Sequence, residues 1–174
     1  MRRSLLGRFP ALCALSLDDT AKMGRELAAQ VFPGLLISLS GDLGAGKTAL
    51  VQAIASPLGV RGVKSPTFAT EMIHQMANEA HCFVHVDLYR VEDVSYLSLQ
   101  LEEHLEEGAL LCVEWGERWT EAPTENRWDI SIEKRCPHGR SLDLSAWGGR
   151  ALAALSRSYT AILSALKEEG PPCR

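Results

Sequence analysis

The sequence predicts an α/β fold, a three-layer sandwich with a mainly parallel central sheet and added antiparallel strands. Three observations predict it. Short apolar runs of strand length alternate with segments of helical periodicity. One of those runs leads directly into a glycine-rich stretch that opens a helix. Two later runs each end on a single carboxylate. At 174 residues the chain is expected to form one domain, 1–174, with 1–10 as a loose N-terminal tail and 151–168 as a closing helix.

In chain order, Ala11–Leu17 reads as a short strand, and Asp18-Asp19-Thr20 offers a helix cap. Met23, Leu27, Ala28 and Val31 then recur at helical spacing until Pro33-Gly34 interrupts them. Leu35–Leu39 is a compact apolar run, followed by Gly41–Gly46 and a helix over Lys47–Ala55 that Pro57 and Gly59 close. Phe68–His74 reads as a strand or hairpin with a polar turn at Ala77–Glu79. Cys82–Val86 is a strand ending at Asp87, Val94–Leu105 an acidic helix, and Ala109–Val113 a strand ending at Glu114. Trp128–Glu133 and Ser141–Leu144 alternate and are expected to pair across Pro137-His138-Gly139. Ala151–Lys167 carries Leu152, Leu155, Tyr159, Ile162, Leu163 and Leu166, an amphipathic helix.

Composition narrows the function classes. Apolar residues make up 46% and charged residues 23%, which excludes a disordered, collagenous or coiled-coil chain. Eighteen Lys and Arg against 22 Asp and Glu give a net charge of −4 with no basic block. A protein that grips long nucleic acid alone carries more positive charge than this, so any nucleic-acid role is expected to be shared with, or delegated to, a partner. Five scattered cysteines (13, 82, 112, 136 and 173) form no CxxC pair, so neither a zinc site nor a stable disulfide partner is expected, and a reducing cytoplasm fits. Arg2 and Arg3 ahead of Leu5 and Leu6 imitate a signal peptide, but Arg8 and Pro10 break the apolar run. No run reaches the roughly 18 apolar residues of a membrane span.

The chemistry concentrates at Gly41-Asp42-Leu43-Gly44-Ala45-Gly46-Lys47-Thr48, which fits Gly-x-x-x-x-Gly-Lys-[Ser/Thr]. At average residue frequencies this pattern arises by chance in roughly one chain in 200 of this length. Here it also stands between an expected strand and an expected helix, as its mechanism requires. Glycines let the loop wrap a polyphosphate with backbone N–H groups, and the following helix adds its positive dipole end. Lys47 reaches the β- and γ-phosphates, and the Thr48 hydroxyl ligates Mg²⁺. Asp42, Leu43, Gly44, Ala45, Gly46, Lys47, Thr48 and Ala49 are thus the expected nucleotide-binding residues, within a P-loop NTPase-like sandwich.

A nucleotide site also needs carboxylates for the metal and the attacking water. Asp87 and Glu114 both end apolar strands, and strand carboxyl ends converge on the ligand crevice of an open α/β sheet. Which is the metal ligand and which orients water stays open from spacing alone; each can equally cap the next element. Thr67 follows the loop helix, where nucleotide switches often place a γ-phosphate sensor, although Ser-Pro-Thr also simply forms turns. His85 is either a group behind the metal or a hydrogen-bonded core histidine. The run Glu102-Glu103-His104-Leu105-Glu106-Glu107 reads as a solvated helix face.

Four segments in order, Gly41–Thr48 (GDLGAGKT), Ser65–Phe68 (SPTF), His85–Arg90 (HVDLYR) and Glu114–Trp115 (EW), resemble the TsaE family, once called YjeE, over about residues 11–145. The resemblance implies an ATP-binding, slowly hydrolysing, Mg²⁺-dependent P-loop ATPase of tRNA threonylcarbamoyladenosine biosynthesis. It implies TsaD-like and TsaB-like partners, TsaD being the transferase that modifies the adenosine beside the anticodon of ANN-reading tRNAs. The ATP cycle would reset that complex between turnovers. By position it implies Lys47 and Thr48 on phosphates and Mg²⁺, and Thr67 as the switch threonine. Asp87 and Glu114 serve metal and water, and Trp115 lies near the nucleotide, against its base. Tyr89 and Arg90 also match. His74-Gln75-Met76 stands where the family has a tyrosine, so no roles transfer across Glu71–Ala80.

Two other functions compete. A small P-loop kinase for a nucleoside or another metabolite would need an arginine-bearing lid, for which Arg118 and Arg127 are the candidates. A nucleotide-gated scaffold would use binding alone to control assembly. Trp119, Trp128 and Trp147 are expected to be structural aromatics.

Overall fold

The computed structural model describes residues 7–64, 70–76, 81–135 and 139–167. The elements are β1 (Gly7–Ala14), α1 (Leu17–Ala28), β2 (Leu36–Ser40), α2 (Lys47–Ala55), β3 (Glu71–Gln75) and β4 (Cys82–Asp87). They continue with α3 (Ser95–Glu106), β5 (Leu110–Glu114), β6 (Arg127–Arg135), β7 (Gly139–Trp147) and α4 (Gly149–Lys167). The seven strands form one sheet in the order β1-β7-β6-β2-β5-β4-β3.

The α/β architecture with added antiparallel strands is as expected, and the parallel part is confined to the centre of the sheet. The four central strands β6, β2, β5 and β4 run parallel, and β1, β7 and β3 are added antiparallel. The parallel strands are apolar on both faces, as burial between helix layers demands. Ile37, Leu39, Leu110 and Cys112 face a core covered by α1, α2 and α4, while Leu36, Leu111, Val84 and Val86 face a second core under α3.

The first strand begins at Gly7, so residues 7–10 are not part of a loose tail. Arg8 and Pro10 obscured it in the sequence because β1 is an edge strand, where proline costs no central ladder bond. Its register against β7 shifts between Phe9 and Leu12, around Pro10, and Phe9 stacks on Tyr159 of α4 with ring centroids 5.1 Å apart. The strand also stops at Ala14 rather than Leu17, because Ser16 and not Asp18 caps α1. Ser16 Oγ accepts from Asp19 N at 3.0 Å, and Asp19 Oδ2 accepts from Ser16 N at 3.0 Å, a reciprocal capping box. Helix α1 lies tightly on α2: a Cβ on Gly24 would stand 2.3 Å from Ala53 Cβ.

The closing hairpin is longer than expected, since β6 and β7 pair from Arg127↔Trp147 to Arg135↔Gly139. Helix α4 buries Ala151, Ala154, Leu155, Ser158 and Ile162 against α1 and the sheet. Buried Trp128 donates its indole N–H to Ala151 O at 2.9 Å, fixing the start of α4 to β6. Among the described residues no helix is long and apolar enough to cross a membrane.

Candidate functional site

Strand β2 ends at Ser40, and the chain turns at once through Gly41 to enter α2 at Lys47. Gly41, Gly44 and Gly46 hold φ of +132°, +72° and +112°, values that L side chains rarely adopt. A Cβ on Gly41 would stand 2.2 Å from Ile132 O, so the loop is pressed onto β6. These turns build the tight strand–loop–helix that the motif requires, with α2 presenting its N-terminus to the loop.

Lys47 is buried at 4% exposure. Its ammonium donates to Gly41 O at 2.5 Å and Asp42 O at 3.0 Å, and lies 3.9 Å from the Trp115 ring centroid. Burial lowers the Lys47 pKa, partly offset by the carboxylates of Glu114, Glu117, Asp87 and Asp42. Thr48 donates its hydroxyl to Glu114, 2.7 Å from Oε1 and 3.0 Å from Oε2. Glu114 is 3% exposed. His85, fully buried at the middle of β4, places Nε2 2.9 Å from Glu114 Oε1.

The strand register sets the two expected carboxylates side by side. Asp87 is the last residue of β4 and Glu114 the last of β5, and they are register partners; Glu114 is in turn the partner of Leu39, two residues before the loop. Glu114 touches Thr48 directly. Asp87 Oδ1 accepts from Tyr89 N at 2.9 Å and so shapes the turn after β4. Thr67 lies outside the described residues, as do Ser65 to Phe68 as a whole and the polar turn at 77–79.

Trp115 takes φ +58°, the one non-glycine residue with positive φ among those described. This backbone, followed by Gly116 pressed against Ser38, turns the indole back over Lys47 and onto Tyr89 at 4.9 Å. Its ring therefore flanks the Lys47 ammonium. A cleft of about 320 Å³ adjoins the other flank, lined by Leu15, Ser16, Thr20, Gly46, Ala49 and Arg140 among others; it has the size of a small-ligand pocket. Among the expected nucleotide residues, Ala45, Gly46 and Ala49 border it, Leu43 is exposed at the loop tip, and Asp42 accepts from both Lys47 and Ala45 N.

Sequence reasoning missed two cations. Lys134 donates to Leu43 O at 3.0 Å and Arg140 Nε to Ala45 O at 2.6 Å, so the β6–β7 hairpin reaches over the loop. Their only sequence signal is a basic cluster near the hairpin turn. The arginines considered for a kinase lid are committed elsewhere. Arg118 donates to the carbonyls of Leu88, Tyr89 and Val91, and Arg127 pairs with Asp129 at 2.5 Å.

Hard oxygen donors at Thr48, Glu114 and Asp87 beside a glycine-lined loop suit Mg²⁺ brought with a polyphosphate. Among the described residues no group of three or more His, Cys, Asp or Glu side chains could hold a metal ion.

Fold and loop together define an α/β protein with a glycine-rich strand–loop–helix whose helix start is tied to a strand-end carboxylate. The family model described as threonylcarbamoyl adenosine biosynthesis protein TsaE matches residues 15–142, and the chain belongs to the TsaE family. It is 40% identical over 116 residues to the tRNA threonylcarbamoyladenosine biosynthesis protein TsaE of Streptomyces coelicolor, covering 65% of this chain and 78% of that one. It is 36% identical over 141 residues to the protein of that name from Mycobacterium tuberculosis, covering 76% and 83%. The Bacillus subtilis protein is 34% identical over 134 residues, with the same coverage. The crystal structure of Bacillus subtilis YdiB matches the fold with a TM-score of 0.72 at 23% identity, covering 90% of this chain and 97% of that one.

Proposed function

We propose that this chain is an ATP-hydrolysing accessory protein of tRNA threonylcarbamoyladenosine biosynthesis in the cytoplasm, acting with TsaD-like and TsaB-like partners and resetting their transferase between turnovers. The observation that carries the nucleotide reading is the Thr48–Glu114 contact at the start of α2, directly beneath the glycine loop. Family membership supplies the pathway.

In this reading the loop N–H groups and Lys47 hold the β- and γ-phosphates, Lys47 exchanging its carbonyl partners for phosphate oxygens. The cleft beside Ala49 and Arg140 takes the base and ribose, and Trp115 stays at the phosphate end. Thr48 and one of the two strand-end carboxylates would hold Mg²⁺, which would supply charge neutralisation at the transferred phosphoryl group. Asp87 and Glu114 are the groups that can orient and deprotonate the attacking water, and Thr67 is the proposed sensor of the γ-phosphate. With −4 net charge, the chain leaves the tRNA to its partners.

The deciding experiment is multiple-turnover tRNA modification by purified TsaD- and TsaB-like proteins, with and without this chain. Stimulation that needs ATP is expected; none refutes the reading. Lys47→Ala is expected to weaken ATP affinity about 10- to 100-fold, the worth of a charge-assisted hydrogen bond to phosphate. Glu114→Gln is expected to bind ATP and block turnover. If both variants sustain repeated modification, the chain is a scaffold rather than an ATPase.

A further inference from the structure

His85 is the buried group beside the loop that the proposed reaction leaves without a task. It is fully buried in β4, with Nε2 2.9 Å from Glu114 Oε1. Its other ring nitrogen, Nδ1, is buried with no hydrogen-bond partner. An ionised carboxylate only accepts hydrogen bonds, so a productive contact with Glu114 requires the proton on Nε2. The opposite neutral tautomer would aim a lone pair at the carboxylate and bury an unmatched N–H. One tautomer alone fits.

Packing by itself does not account for a histidine here. Its neighbours on the same face of β4 are Phe83, in the apolar core, and Asp87 at the strand end; a leucine would fill the space without burying an unpaired nitrogen, which is costly. The Nε2–H bond is what the residue contributes. Thr48 donates to the same carboxylate at 2.7 and 3.0 Å, so two donors from two elements, α2 and β4, fix Glu114. Both converge on Oε1. Oε2 receives only the longer arm of the Thr48 bond and is the oxygen less engaged by these donors.

We propose that His85, held as the Nε2–H tautomer, is a positioning residue that orients Glu114 toward the magnesium–nucleotide site. This rests on the functional reading above and adds to it a residue outside the glycine loop. Groups behind a metal ligand orient it and commonly change metal affinity 10- to 100-fold when removed.

The test uses the full chain labelled with ¹⁵N-histidine, together with His85→Leu, His85→Gln and, as a control on the neighbouring strand, His74→Leu. Nitrogen NMR of the wild type is expected to show a protonated Nε2 and an unprotonated Nδ1 at His85. His85→Leu is expected to lose about 10-fold or more of the magnesium-dependent part of ATP affinity, with affinity in EDTA changed less than about 2-fold. His85→Gln, which can return an N–H to Glu114, is expected to recover to within about 3-fold of wild type, and His74→Leu to keep the wild-type magnesium dependence. An Nδ1-protonated ring overturns the proposal. So does a leucine variant with unchanged magnesium dependence, or one that loses Tm and metal-free affinity together, as a packing residue would. If the wild type binds no ATP, the functional reading and the proposed role fail together, whereas an Nε2–H ring would still establish the His85–Glu114 bond itself.

Discussion

Replacing Gly41 by alanine tests whether the loop is built by backbone conformation, with Gly62→Ala as its control. Gly41 holds φ +132°, and an added Cβ would stand 2.2 Å from Ile132 O. Such a φ costs about 1–3 kcal/mol in a residue with a side chain. Forcing a methyl against backbone that cannot rotate away adds about 1–3 kcal/mol more. Gly62 also has positive φ, +74°, but nothing lies within 4 Å of its added Cβ, so it should cost only about 1–2 kcal/mol. For a domain of this size each kcal/mol moves Tm by about 2–4 °C. Thermal unfolding followed by circular dichroism should therefore show a drop of roughly 5–20 °C for Gly41→Ala and about 2–8 °C for Gly62→Ala. If the loop yields instead of the fold, the steric part will appear as lost ATP affinity. Equal Tm values for the two variants, with ATP binding intact in both, would refute the claim that Gly41 is pressed onto β6.

Trp128→Phe should lower Tm by roughly 5–12 °C in the same measurement, because it opens a small cavity and strands the Ala151 carbonyl that the indole N–H now satisfies. Burial pushes the Cys112 thiol pKa up, so alkylation followed by mass spectrometry should leave Cys112 unmodified in the folded protein at about pH 9 and modify it once urea unfolds the chain. In nucleotide-free protein Lys47→Met should raise Tm at pH 7, since burial holds the Lys47 pKa below its usual 10.5. The folded wild type sheds that proton before the unfolded chain does, so its stability rises with pH just below 10.5 and the variant's advantage shrinks there; an equal advantage at pH 7 and pH 10 would refute the assignment.

Local features of the site were legible in the sequence; distant ones were not. The glycine loop declares itself because each residue acts on its neighbours within eight positions. Asp87 and Glu114 were legible for a similar reason, as the residues at which apolar runs stop, and the register places them together. Lys134 and Arg140 reach Leu43 and Ala45 across 91 and 95 residues of sequence. No local pattern reports such a meeting, which exists only because β6 lies beside β2. How far the parallel part of the sheet extends is not legible, because alternation marks a strand without giving its direction. The left-handed backbone of Trp115 turns its ring onto Lys47, and no sequence pattern announces positive φ at tryptophan.

That unusual residue connects the start of α2 to the surface. The Lys47 ammonium is held between two loop carbonyls and the Trp115 ring, so phosphate oxygens must replace at least part of that arrangement to bind it. Trp115 stacks on Tyr89, which is 45% exposed. Arg118 grips the carbonyls of Leu88, Tyr89 and Val91, making the segment after β4 a braced unit rather than a slack loop. Lys47 thus touches one aromatic ring, which touches a second that reaches solvent. In the proposed function such a short contact path would carry nucleotide occupancy to a partner, and a backbone held at unfavourable φ is tolerated where it supplies one.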